Sequence, residues 1–307
     1  MHILFLFLDG IGLGSEDPSH NPFVRAEMPT LHALLGGQPL LAASAPFHGD
    51  QATLLPLDAC LGVEGLPQSA TGQAVLLTGR NIPAEIGYHY GPKPNPQIAH
   101  YLNGATLFSL LKQSGKRTAL LNAYPPRYFQ GIHSGKRLYS AIPLAVTRAG
   151  VPLFTKDDLY HGRALSADFT GQGWRNMLGF ADAPLFSPQQ AGAQLARLAR
   201  QYDFSLFEYW ASDYAGHKQD MAWALDQLQT FDGVLAGLLQ NWDEEGLILI
   251  TSDHGNLEDL STRRHTTAPV PALLLGAQRW REAFSQQMND LTDIAPAILR
   301  LSGVSPR

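Results

Sequence analysis

Three apolar runs in this chain end in an aspartate. ILFLFL (3–8) leads into Asp9, FSLFEYWAS (204–212) into Asp213, and LILITS (247–252) into Asp253. Read as strands of one open α/β sheet, they deliver three carboxylates to a single rim, where ligands of such sheets bind. Carboxylates gathered there repel one another, and metal ions are the natural counter-charge. Histidines accompany them. His217 follows Asp213 by four residues, so the two share one face of a helical turn. His254 follows Asp253 directly, and His265 lies in a loop just before another apolar run, VPALLLG (270–276). Three Asp with three His suit zinc or manganese better than magnesium or calcium, which want oxygen ligands. Taken singly these residues say little, because an Asp after a strand is ordinarily a turn former or helix cap. The set as a whole points to a site for two metal ions.

The elements that must position these residues alternate in type. Strand-like runs at 3–8, 117–124, 203–211, 246–252 and 270–276 are separated by helical patterns at 28–35, 105–115, 187–202, 219–242 and 290–303. This predicts an α/β fold with a mostly parallel sheet flanked by helices. The rhythm breaks from 126 to 187, a stretch rich in Gly, Pro and aromatics. It carries seven basic residues (Arg127, Lys136, Arg137, Arg148, Lys156, Arg163, Arg175) against four Asp. The expectation is a core domain, 1–125 and 188–307, with 126–187 as a small inserted cap that moves over the site and selects substrate.

Composition narrows the class. With 307 residues, 45% of them hydrophobic, the chain can bury a large core. A net charge of −5 argues against a nucleic-acid partner, which calls for a basic surface. The apolar run at the N-terminus is stopped by Asp9 and has no basic flank, so a buried strand is expected rather than a signal peptide. No run of eighteen apolar residues suggests a membrane span. The single cysteine, Cys60, fits a cytoplasmic setting.

Five motifs, FLDGIGLG, SATGQAVLLTGR, SDYAGH, TSDHGNLE and RHTTAPVP, resemble in order the metal and nucleophile motifs of the alkaline phosphatase superfamily. The likeness is to the cores of cofactor-independent phosphoglycerate mutases and phosphopentomutases. It spans about 1–125 and 187–303, with SDHGNLE and HTTAPVP the most specific matches. The resemblance implies one ion held by Asp213, His217 and His265. It implies a second ion held by Asp9, Asp253, His254 and the oxygen of the nucleophile.

Two hydroxyls compete for that role, Ser69 and Thr71. The family pattern places a Gly three residues after the nucleophile and another about ten after. Gly72 and Gly79 satisfy this from Ser69 and not from Thr71. A helix read at 72–78 would put Ser69 just ahead of its positive end, which favours an alkoxide and a bound phosphate. Thr71 would then cap backbone N–H groups of the first turn. Arg80 is a candidate for binding an anionic part of the substrate. The chain departs from the mutases at Gln73, where they have His, and in the size of the insertion. The expected function is phosphoryl transfer on a small phosphorylated substrate through a phosphoserine, as a phosphatase or phosphodiesterase; the alternative is a phosphomutase.

Overall fold

The computed structural model describes residues 1–305. Seven strands form one sheet: β1 (His2–Leu8), β2 (Phe47–His48), β3 (Ala52–Leu57), β4 (Thr118–Leu120), β5 (Phe204–Tyr209), β6 (Gly246–Thr251) and β7 (Val270–Gly276). Their spatial order is β2-β3-β7-β6-β1-β5-β4. β1 pairs in parallel with both β5 and β6, and β4 with β5. β7 runs antiparallel to β6 and to β3. The reversal of β7 matters for the site. Its N-terminal end lies at the rim where β1, β5 and β6 finish, so the loop before it, with His265, arrives beside Asp9 and Asp253.

The central strand is apolar on both faces because it is covered on both faces. Ile3, Phe5 and Phe7 pack under α1 (Ser69–Thr78), α3 (Ala141–Arg148) and α7 (Ile294–Leu301). Leu4, Leu6 and Leu8 pack under α4 (Pro188–Ala199) and α6 (Met221–Gln240). Ser187 caps α4 by accepting the Gln190 N–H, and Asp220 caps α6 by accepting the Trp223 N–H. The α4 and α6 backbones cross closely. A β-carbon on Gly192 would lie 2.0 Å from the Val234 carbonyl oxygen, so only glycine fits there.

The helix carrying the two candidate hydroxyls is longer than expected. It starts at Ser69, not at residue 72, and ends where Gly79 adopts a left-handed conformation, φ 71°. Ser69 is therefore inside the first turn.

The segment 126–187 divides in two. α2 (Pro126–His133) and α3 contribute Tyr128, Ile142 and Val146 to the core above the sheet, because α3 has an apolar face of its own. The part around Leu159, Ala164, Trp174 and Ala183 forms a small separate cluster. It is tied to the end of β4 by backbone hydrogen bonds, Ala123 N–H to Leu165 O at 2.8 Å and Tyr124 N–H to Phe154 O at 2.9 Å. Leu165 and Phe169 of this second part still join the core on the other face of the sheet, Phe169 stacking on Phe207 and Tyr209. No helix among the described residues is long and apolar enough to cross a membrane.

Candidate active site

The rim gathers all three aspartates, all three histidines and Ser69. Asp9 follows β1, and Asp213 and His217 lie one turn apart on α5 (Ala211–Lys218), which follows β5. Asp253 and His254 follow β6 and are fully buried. The Ser69 hydroxyl is 3.1 Å from His254 Nε2. The same nitrogen is 3.4 Å from Asp9 Oδ1 and 3.6 Å from Asp253 Oδ1. His217 Nε2 is 3.2 Å from Asp213 Oδ2, and His265 Nε2 is 3.8 Å from Asp213 Oδ1. The His254 and His265 rings stack, centroids 3.6 Å apart.

The three imidazoles are oriented alike. Each turns Nε2 into the site and Nδ1 toward a backbone carbonyl: His217 to Arg263 O at 2.7 Å, His265 to Pro67 O at 2.7 Å, His254 to Gly255 O at 3.3 Å. At His254 and His265, whose pKa values burial lowers, a carbonyl at Nδ1 fixes that nitrogen as the donor and leaves Nε2 with its lone pair, the form that binds metal. The hydrogen bond to Asp213 raises His217, whose Nε2 donates to that carboxylate.

The charge pattern asks for cations. Asp9 is pushed well above the usual carboxylate range by burial, then by Asp253 and Asp213. Burial and Asp213 raise Asp253 to about 7. Burial acts on Asp213 in the same sense but is outweighed by hydrogen bonds from His217 and Asn256 and by the neighbouring histidines, and its pKa falls to about 2. Burial, then His265, lowers His254 to about 3, so its ring is neutral. Asp9 Oδ1 is buried with no hydrogen-bond donor. An orphaned carboxylate oxygen facing the neutral His254 imidazole fits a metal ligand and is costly otherwise.

Two ligand groups emerge. Asp213, His217 and His265 bring ligand atoms within 4.8 Å of one another, and so do Asp9, Asp213 and His254. The first is the set that the motifs imply. The second differs, because Asp213 stands between the two groups instead of belonging to one. Asp253 adds its Oδ1 beside His254, while its Oδ2 accepts a hydrogen bond from Gln73 Nε2 at 3.1 Å.

Thr71 does not cap the helix. Its hydroxyl donates to Gln68 O at 3.0 Å and accepts the Tyr90 N–H at 3.2 Å, latching the loop at residue 90 to the first turn. Arg80 is not brought to the site. A ten-residue helix is about 15 Å long, and Arg80 lies beyond its far end. There it pairs with Glu85 at 2.5 Å and stacks on Tyr101.

Several contributors escape a motif reading. Asn256 donates to Asp213 Oδ1 at 2.6 Å. Glu258 accepts the N–H groups of Gly12 and Asn256, both at 2.8 Å, and the Thr266 hydroxyl, bracing the loop that carries His265. Glu208 shares the face of Phe204 and Leu206 on β5, opposite Phe7. Tyr124 donates to its Oε1 at 2.7 Å. A lone acid inside an apolar strand was the available signal.

Burial raises Glu208 to about 7. An acid raised by folding stabilises the protein below its ordinary pKa and loses that contribution as pH climbs through the folded value. In chelator, Glu208→Gln is therefore expected to gain on the wild type between pH 5 and pH 8, by up to about 2 kcal/mol. Thermal unfolding of both proteins across that range measures the difference; parallel curves would refute it.

Residues 183–306 match the model of the Metalloenzyme superfamily. The fold is alkaline-phosphatase-like: the alkaline phosphatase of the Antarctic bacterium TAB5 superposes with a TM-score of 0.54 at 11% identity, covering 99% of this chain and 98% of that one. A phosphoglycerate mutase from Leishmania mexicana superposes with a TM-score of 0.51 at 11% identity, covering 100% and 96%. The fold is thus alkaline-phosphatase-like, and the C-terminal part of the chain, which carries Asp213, His217, Asp253, His254 and His265, is the part that matches a metalloenzyme family. In sequence, the chain is 29% identical over 119 residues to the 2,3-bisphosphoglycerate-independent phosphoglycerate mutase of Methylobacillus flagellatus. That match takes in 36% of this chain and 23% of the relative's length.

Proposed function

We propose that this protein transfers the phosphoryl group of a small phosphorylated substrate to Ser69 and then to water, as a phosphatase or phosphodiesterase. The observation that carries this is a serine hydroxyl 3.1 Å from His254 Nε2, inside a double set of metal-ligating side chains. Zinc or manganese ions, two per chain, would be held by Asp213, His217 and His265 and by Asp9, Asp253 and His254 with Ser69. When bound, they supply Lewis acidity and counter-charge for the phosphate.

The chain's own residues do the rest. The first turn of α1 fixes Ser69 at the positive end of the helix, which favours loss of its proton and the approach of an anion. The Ser69 oxygen attacks phosphorus, the bond to the leaving oxygen breaks, and a phosphoserine results. Water then attacks the phosphoserine, releasing inorganic phosphate where the substrate was a monoester, or a phosphomonoester where it was a diester, and restoring the hydroxyl. The enclosure of the site bears on the choice of acceptor. Half of the inserted segment is spent on the core, and four of its seven basic residues are engaged within it. Arg163 pairs with Asp158, Arg175 binds Ala183 O, Arg137 covers Tyr128 and Lys156 covers Tyr160. Little is left to shield a phosphoenzyme from water, which supports hydrolysis. The second reading, a phosphomutase, is favoured by the sequence match to a mutase.

A screen of phosphomonoesters, phosphodiesters and sugar phosphates, with protein loaded separately with Mn²⁺ or Zn²⁺, tests the reading. Release of inorganic phosphate from a monoester, or of a phosphomonoester and an alcohol from a diester, supports the hydrolase, and an isomeric phosphate ester supports the mutase. Metal analysis after saturation and desalting is expected to give two ions per chain; one or none would count against the double site.

A further inference from the structure

We infer that Gln73 is a positioning residue that ties the nucleophile's helix to one metal ligand and selects which oxygen of Asp253 faces the ion. Gln73 and Asp253 are both buried, at 6% and 0% exposure. The Gln73 amide donates to Oδ2 of Asp253 at 3.1 Å, leaving Oδ1 turned toward His254 Nε2 at 3.6 Å. A buried amide beside a carboxylate can only donate, so the contact is directional.

The second observation is steric. A β-carbon on Gly72 would lie 2.8 Å from both the β-carbon and the carbonyl oxygen of Asp253. The first turn of α1 thus sits directly on the chain at Asp253, and Gln73 reaches that carboxylate from the same turn. Ser69 and Gln73 are four residues apart and share one helix face. One rigid turn therefore holds the hydroxyl against His254 and the amide against Asp253. The spacing between nucleophile and ligand is set inside a single element, not across a flexible loop. A carboxylate without the amide would be free to turn and present either oxygen, or both, to the ion.

The inference rests on the two-ion reading above, and it concerns only the ion that Asp253 helps to hold. The test is calorimetric titration of chelator-stripped protein with Mn²⁺, comparing wild type with Gln73→Met, which keeps length and volume but donates nothing. The expected result is a loss of about 10–100-fold in affinity for one ion, with the other ion unchanged and the melting temperature in chelator close to wild type. Gln73→Glu, which replaces the donor by an acceptor at nearly the same shape, is expected to weaken the same ion at least as much, and it decides the matter if the Met variant does not fold. Wild-type affinity for both ions in the folded variants would overturn the inference alone. So would equal weakening of both ions together with a lowered melting temperature in chelator, which is the mark of general packing. A wild-type chain that takes up no Mn²⁺ would overturn this inference together with the two-ion reading.

Discussion

Ser69→Ala is expected to abolish the covalent phosphoenzyme and to lower turnover by at least about a thousandfold, the scale on which loss of a nucleophile is felt. The hydroxyl is the only group on the first turn of α1 placed against His254. Its removal leaves the other ligand side chains where they are, so uptake of the ion at Asp213, His217 and His265 and the melting temperature in chelator should change little. Thr71→Ala is the matched control. Its hydroxyl is buried and spent on Gln68 O and the Tyr90 N–H. Losing it should cost stability, about 1–3 kcal/mol for buried partners left unsatisfied, and leave the phosphoenzyme intact. Acid trapping followed by mapping of the phosphopeptide decides between them. Phosphate on Thr71 would overturn the choice of nucleophile.

Asp253→Asn should separate metal binding from folding. Asparagine keeps the shape and still accepts from Gln73, but it brings no charge to the ion. Activity is expected to fall at least about a hundredfold, since even partners that merely orient ligands are worth 10–100-fold. Stability should move in two directions. In chelator, the wild type must ionise a buried carboxyl whose pKa is raised to about 7 by burial and Asp213. The stability that this acid lends is present at low pH and is lost as pH rises through that value. The Asn variant escapes the loss and should match or exceed the wild type at pH 8. With saturating Mn²⁺ the order should reverse, because a ligand at a hundred times its Kd adds about 2.7 kcal/mol to the protein that binds it. Melting curves with and without metal test both halves, and equal metal-induced shifts in the two proteins would sink the assignment of Asp253 as a ligand.

The strand ends were legible because a both-face-buried strand must be apolar throughout, so the first charged residue marks where it leaves the core. Asp9 and Asp253 announce themselves this way; in β5 the first charge is Glu208, inside the strand, and Asp213 comes only in the helix that follows. β3 was not legible, since Pro56 interrupts its run; it pairs opposite Pro271, where neither residue can donate. The helices in 126–148 were hidden by their short length and by Gly and aromatic residues around them. Gln73 could be seen as a departure from a pattern, but its partner lies 180 residues away. No local period encodes such a contact. Asp213 standing between both ligand groups, and Arg80 pointing away, are likewise matters of helix length and direction that spacing leaves open.

The place of β1 in the sheet has a consequence for synthesis. This strand, HILFLFL, is made well before its two sheet neighbours, which begin at Phe204 and Gly246. At about 5–20 residues per second, the ribosome needs on the order of tens of seconds to deliver them. Through that interval β1 has no strand beside it, although the face of Ile3, Phe5 and Phe7 has native partners, in α1 and α3, that are made before β5. The nascent chain therefore carries an unpaired apolar strand until β5 emerges, and chaperones that hold chains during synthesis should matter more to its yield than chaperones that act after release.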